Sequence, residues 1–137
     1  MRTFRDKKNR EWQVDITVGH MLDIKSRLGL NLLDNLDDMP SDWESTINVL
    51  WIVCEDQAIE RGVDDRAFGR LMAAETINEA TDALMEELID FFSRLQPERG
   101  KLLRVIWDRT KRWQEGQEAA YKKARLSLST DSPGLSA

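Results

Sequence analysis

Ser41-Asp42-Trp43-Glu44-Ser45-Thr46-Ile47-Asn48-Val49-Leu50-Trp51-Ile52-Val53-Cys54-Glu55-Asp56-Gln57-Ala58-Ile59-Glu60-Arg61-Gly62 is the stretch that assigns this chain to the helical class. It opens on Ser41-Asp42-Trp43-Glu44, the pattern of a capping box, in which the serine hydroxyl and the glutamate carboxylate satisfy each other's end-of-helix amides. Trp43, Ile47, Leu50, Trp51, Cys54 and Ala58 then recur three and four residues apart, which places them on one apolar stripe. Gly62 supplies the left-handed stop. The stretch therefore predicts an amphipathic helix to about Arg61.

Upstream, Leu30 to Asp34 predicts one further helical turn, and Asp34 to Pro40 a polar connection. Before these, Thr17 caps a helix over about Val18 to Leu28, with Met21, Ile24 and Leu28 inward, Leu22 beside them, and Gly29 as terminator. The chain opens differently. Thr3-Phe4-Arg5 is a short extended run, Lys7-Lys8-Asn9-Arg10 a polar turn, and Glu11 to Ile16 a strict alternation. A period of two puts Trp12, Val14 and Ile16 on one face and Glu11, Gln13 and Asp15 in water, so residues 3–16 predict a β-hairpin. A lone hairpin is marginal, so its apolar face must rest on a helix or on another molecule, and its outer edges are open to strand addition.

Downstream, Asp64 caps a segment with Phe68, Leu71 and Met72 inward and a weak point near Ala73-Ala74. The helical period resumes through Ile77, Ala80, Leu84, Leu88, Phe91 and Phe92. Pro97 suits the first turn of a last helix, which predicts a span from Pro97 to about Leu126. Its first half, with Leu102, Leu103, Val105, Ile106, Trp107, Thr110 and Trp113, is apolar on one side. After Gly116 the stripe fades to Ala119, Ala120, Tyr121 and Ala124 among Lys122, Lys123 and Arg125, a face that gains little from packing and predicts a projecting half. The expected fold is mainly α: an N-terminal hairpin on a bundle of about five helices, one domain over 1–126, and a disordered tail over 127–137.

Charge is segregated. Residues 31–90 carry sixteen acidic and three basic side chains, while 1–30 sum to +3 and 91–137 to +5, which together give the net −5. The longest apolar run, Val49 to Cys54, is far too short to cross a bilayer, and the charged N-terminal thirty residues hold no secretory h-region. One cysteine in 137 residues makes no internal disulfide and suits a reducing cytoplasm.

The residue patterns that chemistry needs are missing from the sequence. His20 has no second histidine near it and reads as a surface or helix-cap residue rather than a zinc ligand. No phosphate-binding glycine loop occurs, and Asp34-Asn35-Leu36-Asp37-Asp38 lacks the glycine and distant glutamate of a calcium loop. Glu86-Glu87 and Asp64-Asp65 are adjacent pairs that diverge on a helix and form no acid/base couple. Cys54 lies on the apolar stripe, as a core residue does. Arg104, Arg109, Lys111 and Arg112 interleave with Trp107 and Trp113 as on some nucleic-acid faces, but the acidic centre repels phosphate. The sequence thus predicts no enzyme, no cofactor, no metal, no nucleic acid and no membrane, and points to a protein-binding module. Trp107, Trp113 and Tyr121 on the last helix, with the hairpin edge near Phe4, are the expected partner contacts.

Three stretches carry a family resemblance. They are Phe4-Arg5-Asp6 through Trp12-Gln13-Val14 into Ile24 to Asp34; Leu50 to Ala58 followed by Arg61 to Ala73; and Ala80 to Phe92. Together, over about residues 3–95, they resemble the tail assembly chaperones and related tail-cluster proteins of long-tailed bacteriophages, in overall texture and order rather than in a chemical signature. The resemblance implies a small helical protein in the cytoplasm of the infected bacterium, absent from the mature virion. It implies binding to the tape measure protein, which is kept soluble until the tail tube polymerises around it. Many members of that family are also made in a longer frameshifted form whose extra domain recruits the tail tube protein, and whether this protein has one is left open. Homo-oligomerisation is left open. The competing readings are a structural tail or connector component, and a helical regulator or nucleic-acid binder.

Overall fold

β1 (Arg2–Arg5) and β2 (Glu11–Val14) form the antiparallel hairpin that the alternation predicts, in the register Arg2 with Val14, Thr3 with Gln13, Phe4 with Trp12 and Arg5 with Glu11. The structure is a computed structural model that describes residues 1–35 and 42–131. Among the described residues six helices follow: α1 (Val18–Leu28), α2 (Leu32–Asn35), α3 (Trp43–Glu60), α4 (Asp65–Arg70), α5 (Ala74–Leu95) and α6 (Pro97–Asp131). The mainly helical fold with an N-terminal hairpin and a long last helix is the one expected.

The helix boundaries follow local chemistry. Thr17 accepts from the His20 amide at 3.3 Å, and the Thr17 amide donates to His20 Nδ1 at 3.1 Å, so the histidine is the cap residue it was read to be. Gly29 and Gly62 adopt φ of +68° and +69°, the left-handed stops predicted for α1 and α3. Asp64 caps α4 through the Ala67 amide, and the break before α5 falls at the weak point near Ala73-Ala74. The start of α3 differs. Asp42, not Ser41, is the cap: its carboxylate accepts from the Ser45 amide at 3.2 Å and the Ser45 hydroxyl at 2.7 Å. These bonds, led by the one from the hydroxyl, hold the Asp42 carboxyl below its ordinary pKa. Ser41, like the connection from residue 36 on, lies outside the described residues. With the start one residue later, Trp43 becomes the first residue of α3 and is 70% exposed, off the apolar stripe to which it was assigned.

The chain divides into two units, Met1–Leu103 and Arg104–Ala137, where one domain over 1–126 was expected. In the first unit the hairpin is stitched to the helices at three places. At the turn, the Asp6 side chain is fully buried. Its Oδ1 accepts from the Lys8 and Arg10 amides at 2.8 and 3.0 Å, and its Oδ2 from the Trp12 indole N–H at 2.8 Å and Arg10 Nε at 3.2 Å. Asn9, at φ +63°, closes the turn in a left-handed conformation that asparagine tolerates better than most residues. The Lys7 amide then donates to the Leu71 carbonyl at the end of α4, at 2.8 Å. Trp12 meets Phe68 of α4 edge-on with ring centroids 5.1 Å apart, an arrangement worth about 0.5–1.5 kcal/mol beyond the area buried. Arg61 lies over the indole ring, 4.5 Å from its centroid.

On the β2 side, Gln57 of α3 receives the Gln13 amide at 2.8 Å and donates to the Gln13 carbonyl at 2.7 Å, acting as one residue of an adjacent strand. On the β1 side, Arg2 reaches Asp90 at 2.7 Å and Glu87 at 3.0 Å on α5. The hydrogen bond to Asp90 holds the guanidinium above its ordinary pKa against the opposing effect of desolvation. Arg27 and Glu55 form a bidentate pair at 2.9 and 3.0 Å between α1 and α3. The core beneath is built from Phe4, Trp12, Val14, Ile24, Leu50, Cys54, Phe68, Leu84, Leu88 and Phe92.

The second unit is the distal part of α6. Helix continues unbroken through Gly116 to Asp131, so residues 127–131 are helical rather than disordered; the rest of the expected tail lies outside the described residues. All of α6 spans about 52 Å at 1.5 Å per residue. From Arg112 to Ser127 every residue is exposed, so exposure begins before Gly116, where the apolar stripe was expected to fade. Glu118 and Lys122, 3.3 Å apart with the acid N-terminal, support this stretch by about 0.3–0.5 kcal/mol.

Two predictions follow from these packing facts. Burial alone would raise the Asp6 pKa, but the bonds from Trp12, Arg10 and Lys8 and the Arg10 charge outweigh it and hold the carboxyl below its usual 3.8. Its contribution is therefore complete above about 3.8 and is lost as pH falls through the lower folded value. Asp6→Ala is expected to cost about 1–3 kcal/mol at neutral pH by orphaning the indole N–H. Asp6→Asn is expected to flatten the acid limb of a urea-midpoint profile, and an unchanged limb would refute the assignment. At Gly100, an added Cβ would fall 2.5 Å from Ser93 Cα and 2.7 Å from Ser93 Cβ. Gly100→Ala, which at an open helical site would stabilise, is expected to destabilise by about 1–3 kcal/mol in chemical denaturation.

Candidate partner-binding surface

α1 carries more apolar surface than its own core contacts use. Ile24 is its one fully buried residue; Met21 and Leu28 are half-buried, and Val18 and Leu22 lie in solvent, Leu22 at 63% exposure. Val18, Met21, Leu22 and Lys25 fall at i, i+3, i+4 and i+7, a second stripe beside the inward one. The helix was read with Leu22 beside the inward row; the structure turns it outward, because the bidentate Arg27–Glu55 pair and buried Ile24 fix the rotation of α1 on α3.

That outward stripe faces the C-terminal end of α5 across a cleft of about 270 Å3, whose walls are Val18, Met21, Leu22, Leu30, Leu32, Phe91, Phe92 and Leu95, with Lys25 and Asn31 as its polar members. Phe91 and Phe92 meet edge-on at 5.5 Å and form the floor at the α5 end. A concave apolar cleft with one cation at its margin suits the apolar face of a partner helix, with a carboxylate placed opposite Lys25. The sequence signal for this site was the width of the apolar arc on α1: an eleven-residue helix with five apolar positions spread over two stripes has one stripe to spare.

The residues expected to contact a partner are scattered rather than gathered. Phe4 is fully buried, its ring in the hairpin core opposite Trp12, so it belongs to the fold and offers no edge contact. The alternation that puts Trp12 inward puts its cross-strand neighbour inward too. Trp107 is buried as well, at 2% exposure, with the Lys111 ammonium 5.8 Å from its ring centroid. Trp113 and Tyr121 are 66% and 68% exposed on the distal part of α6. With Ala120 and Ala124 they lie within about 100° of helical arc, on a helix whose remaining surface carries Lys122, Lys123 and Arg125. Of the four expected contacts, the structure leaves these two available.

Cys54 is buried on α3 with its Sγ 3.8 Å from the Gln13 carbonyl, and burial pushes the thiol up to about 12 against the pull of Arg61. A thiol held so far above neutrality is protonated and packs as a small apolar residue. No group of three or more metal-ligating side chains occurs among the described residues. No helix among them is long and apolar enough to cross a membrane. No family model matches the chain, and comparison with curated proteins and with solved structures gives no match.

Proposed function

We propose that this chain is an assembly chaperone that shields an apolar helical stripe of another protein until that protein is consumed by assembly. The observation that carries the reading is the apolar cleft between α1 and the end of α5, with Val18 and Leu22 in solvent at its rim. A long unassembled helix exposes an apolar seam that self-associates, and a preformed apolar cleft competes for that seam. The resemblance over residues 3–95 names the client: the tape measure protein of a long-tailed bacteriophage, with the tail tube protein reached through a longer frameshifted form. On this reading the protein acts in the cytoplasm of the infected host and is left out of the virion. The exposed Trp113 and Tyr121 provide a separate apolar strip on the second unit.

The test is co-expression with the tape measure protein and measurement of the soluble fraction of that client. Leu22→Glu places a charge on the cleft rim at an exposed site, where stability shifts by no more than about 0.5 kcal/mol. It is expected to abolish solubilisation while the melting temperature holds. Truncation after Gly116 is expected to weaken solubilisation without abolishing it. Full rescue by Leu22→Glu would overturn the cleft as the client site, and recovery of the protein in purified virions would overturn the chaperone reading in favour of a structural tail component.

A further inference from the structure

We propose that the free edge of β1 is a strand-addition site for an extended, lysine- or arginine-bearing segment of a partner protein. The two edges of the hairpin are treated differently. Gln13 turns its amide and carbonyl away from β1 to meet the Gln57 side chain, which closes the β2 edge. Thr3 is paired opposite Gln13, and opposite residues of an antiparallel ladder turn their backbone groups the same way relative to the pair. The Thr3 amide and carbonyl therefore point outward from β1, where no described residue takes them up. Helical backbone groups are already bonded, and no side chain of a described helix does for Thr3 what Gln57 does for Gln13, so this edge is open to the backbone of another strand.

The space beside the edge selects the occupant. Thr3 borders an open groove of about 420 Å3 whose far wall is Glu79, Asp82 and Glu86 of α5. Glu75, Glu79, Asp82 and Glu86 recur at four, three and four residues, a single carboxylate row along the helix. Among the described residues no cation pairs with Glu79 or Asp82. Successive carboxylates in such a row rise by about 5 Å. Alternate side chains of a strand repeat every ~6.7 Å, so lysines or arginines at every second position of an added strand reach one carboxylate each. The protein already contains one instance of the geometry: Arg2, on β1 itself, meets Glu87 at 3.0 Å and Asp90 at 2.7 Å on the same helix. An acidic segment is repelled by this wall, and an uncharged one supplies no counter-charge to Glu79 and Asp82.

The proposal does not rest on the chaperone reading; the groove and the α1–α5 cleft share no residue. The probe is a capped hexapeptide of alternating lysine and valine, titrated into the full chain at low salt, with the Thr3 amide followed by NMR shift and by hydrogen exchange. Protection of Thr3 is expected, and the glutamate–valine control is expected to leave it unprotected. Glu79→Gln with Asp82→Asn is expected to weaken the lysine peptide and flatten its salt dependence. Thr3→Pro removes the outward N–H at an edge position that accepts proline, and is expected to weaken binding about tenfold. The same peptide N-methylated on the pairing side tests the backbone contribution on the unaltered protein, whatever Thr3→Pro does to folding. Equal affinity for the methylated and unmethylated peptides would overturn strand addition, leaving surface charge alone. Equal affinity for the lysine and glutamate peptides, or no binding of either, would overturn the proposal outright. Leu22→Glu is expected to leave all of these readings unchanged, so the two surfaces stand or fall separately.

Discussion

The buried carboxylate of Asp6 is the constraint on which the rest of the first unit is arranged. Trp12 is the largest fully buried side chain of the first unit, and an indole N–H taken out of water without a partner costs more than one ordinary hydrogen bond contributes. Asp6 supplies that partner from the turn that joins Trp12's own strand to β1, and the two turn amides that it also accepts fix the turn itself. One side chain thus sets the hairpin's loop geometry and the depth of its main anchor. Trp12 then seats against Phe68 and under Arg61, which places the ends of α3 and α4. Arg10, half-exposed at the mouth of the site, offsets the charge that would otherwise be stranded in the core.

With the hairpin placed, its two flanks become different surfaces. Gln57 makes β2 an interior strand with a single side chain, whereas Arg2 anchors β1 to α5 from one end and leaves Thr3 facing an acidic wall. At the C-terminal end of the same helix α5, just beyond Asp90, Phe91, Phe92 and Leu95 meet the outward stripe of α1. A helix that is carboxylate-rich along one face and aromatic at its C-terminal end serves two kinds of ligand, charged and apolar, without the two competing. Its inward face, with Ala80, Leu84, Leu88 and Phe92, is committed to the core in either case.

Distal α6 belongs to another regime. Its stability comes from helix propensity and from pairs such as Glu118–Lys122 rather than from a packed face, and those terms are a few tenths of a kcal/mol each. That is the energetic position of a segment able to exchange solvent for a partner at low cost. The aromatic residues Trp113 and Tyr121 would gain most from such an exchange.

Several features were legible in the residues alone because they are local. The Trp12-Val14-Ile16 alternation, Thr17 with His20, the glycine stops at Gly29 and Gly62, the break at Ala73-Ala74 and Pro97 at a helix start each depend on neighbours within one turn, so the chain specifies them without reference to the rest. The burial of Phe4, the exposure of Trp43 and Leu22, the carboxylate of Asp6 beneath an indole, and Gln57 standing in for a strand were not legible. Each depends on which side chains meet once elements pair or pack, across the hairpin for Phe4 and Asp6 and between separate elements for Leu22 and Gln57, and period and composition are silent on that. The sequence determined the elements, their order and the side of each that prefers a core. Tertiary packing alone decided which apolar side chains the core had no room for, and those left over are the ones that make a binding surface.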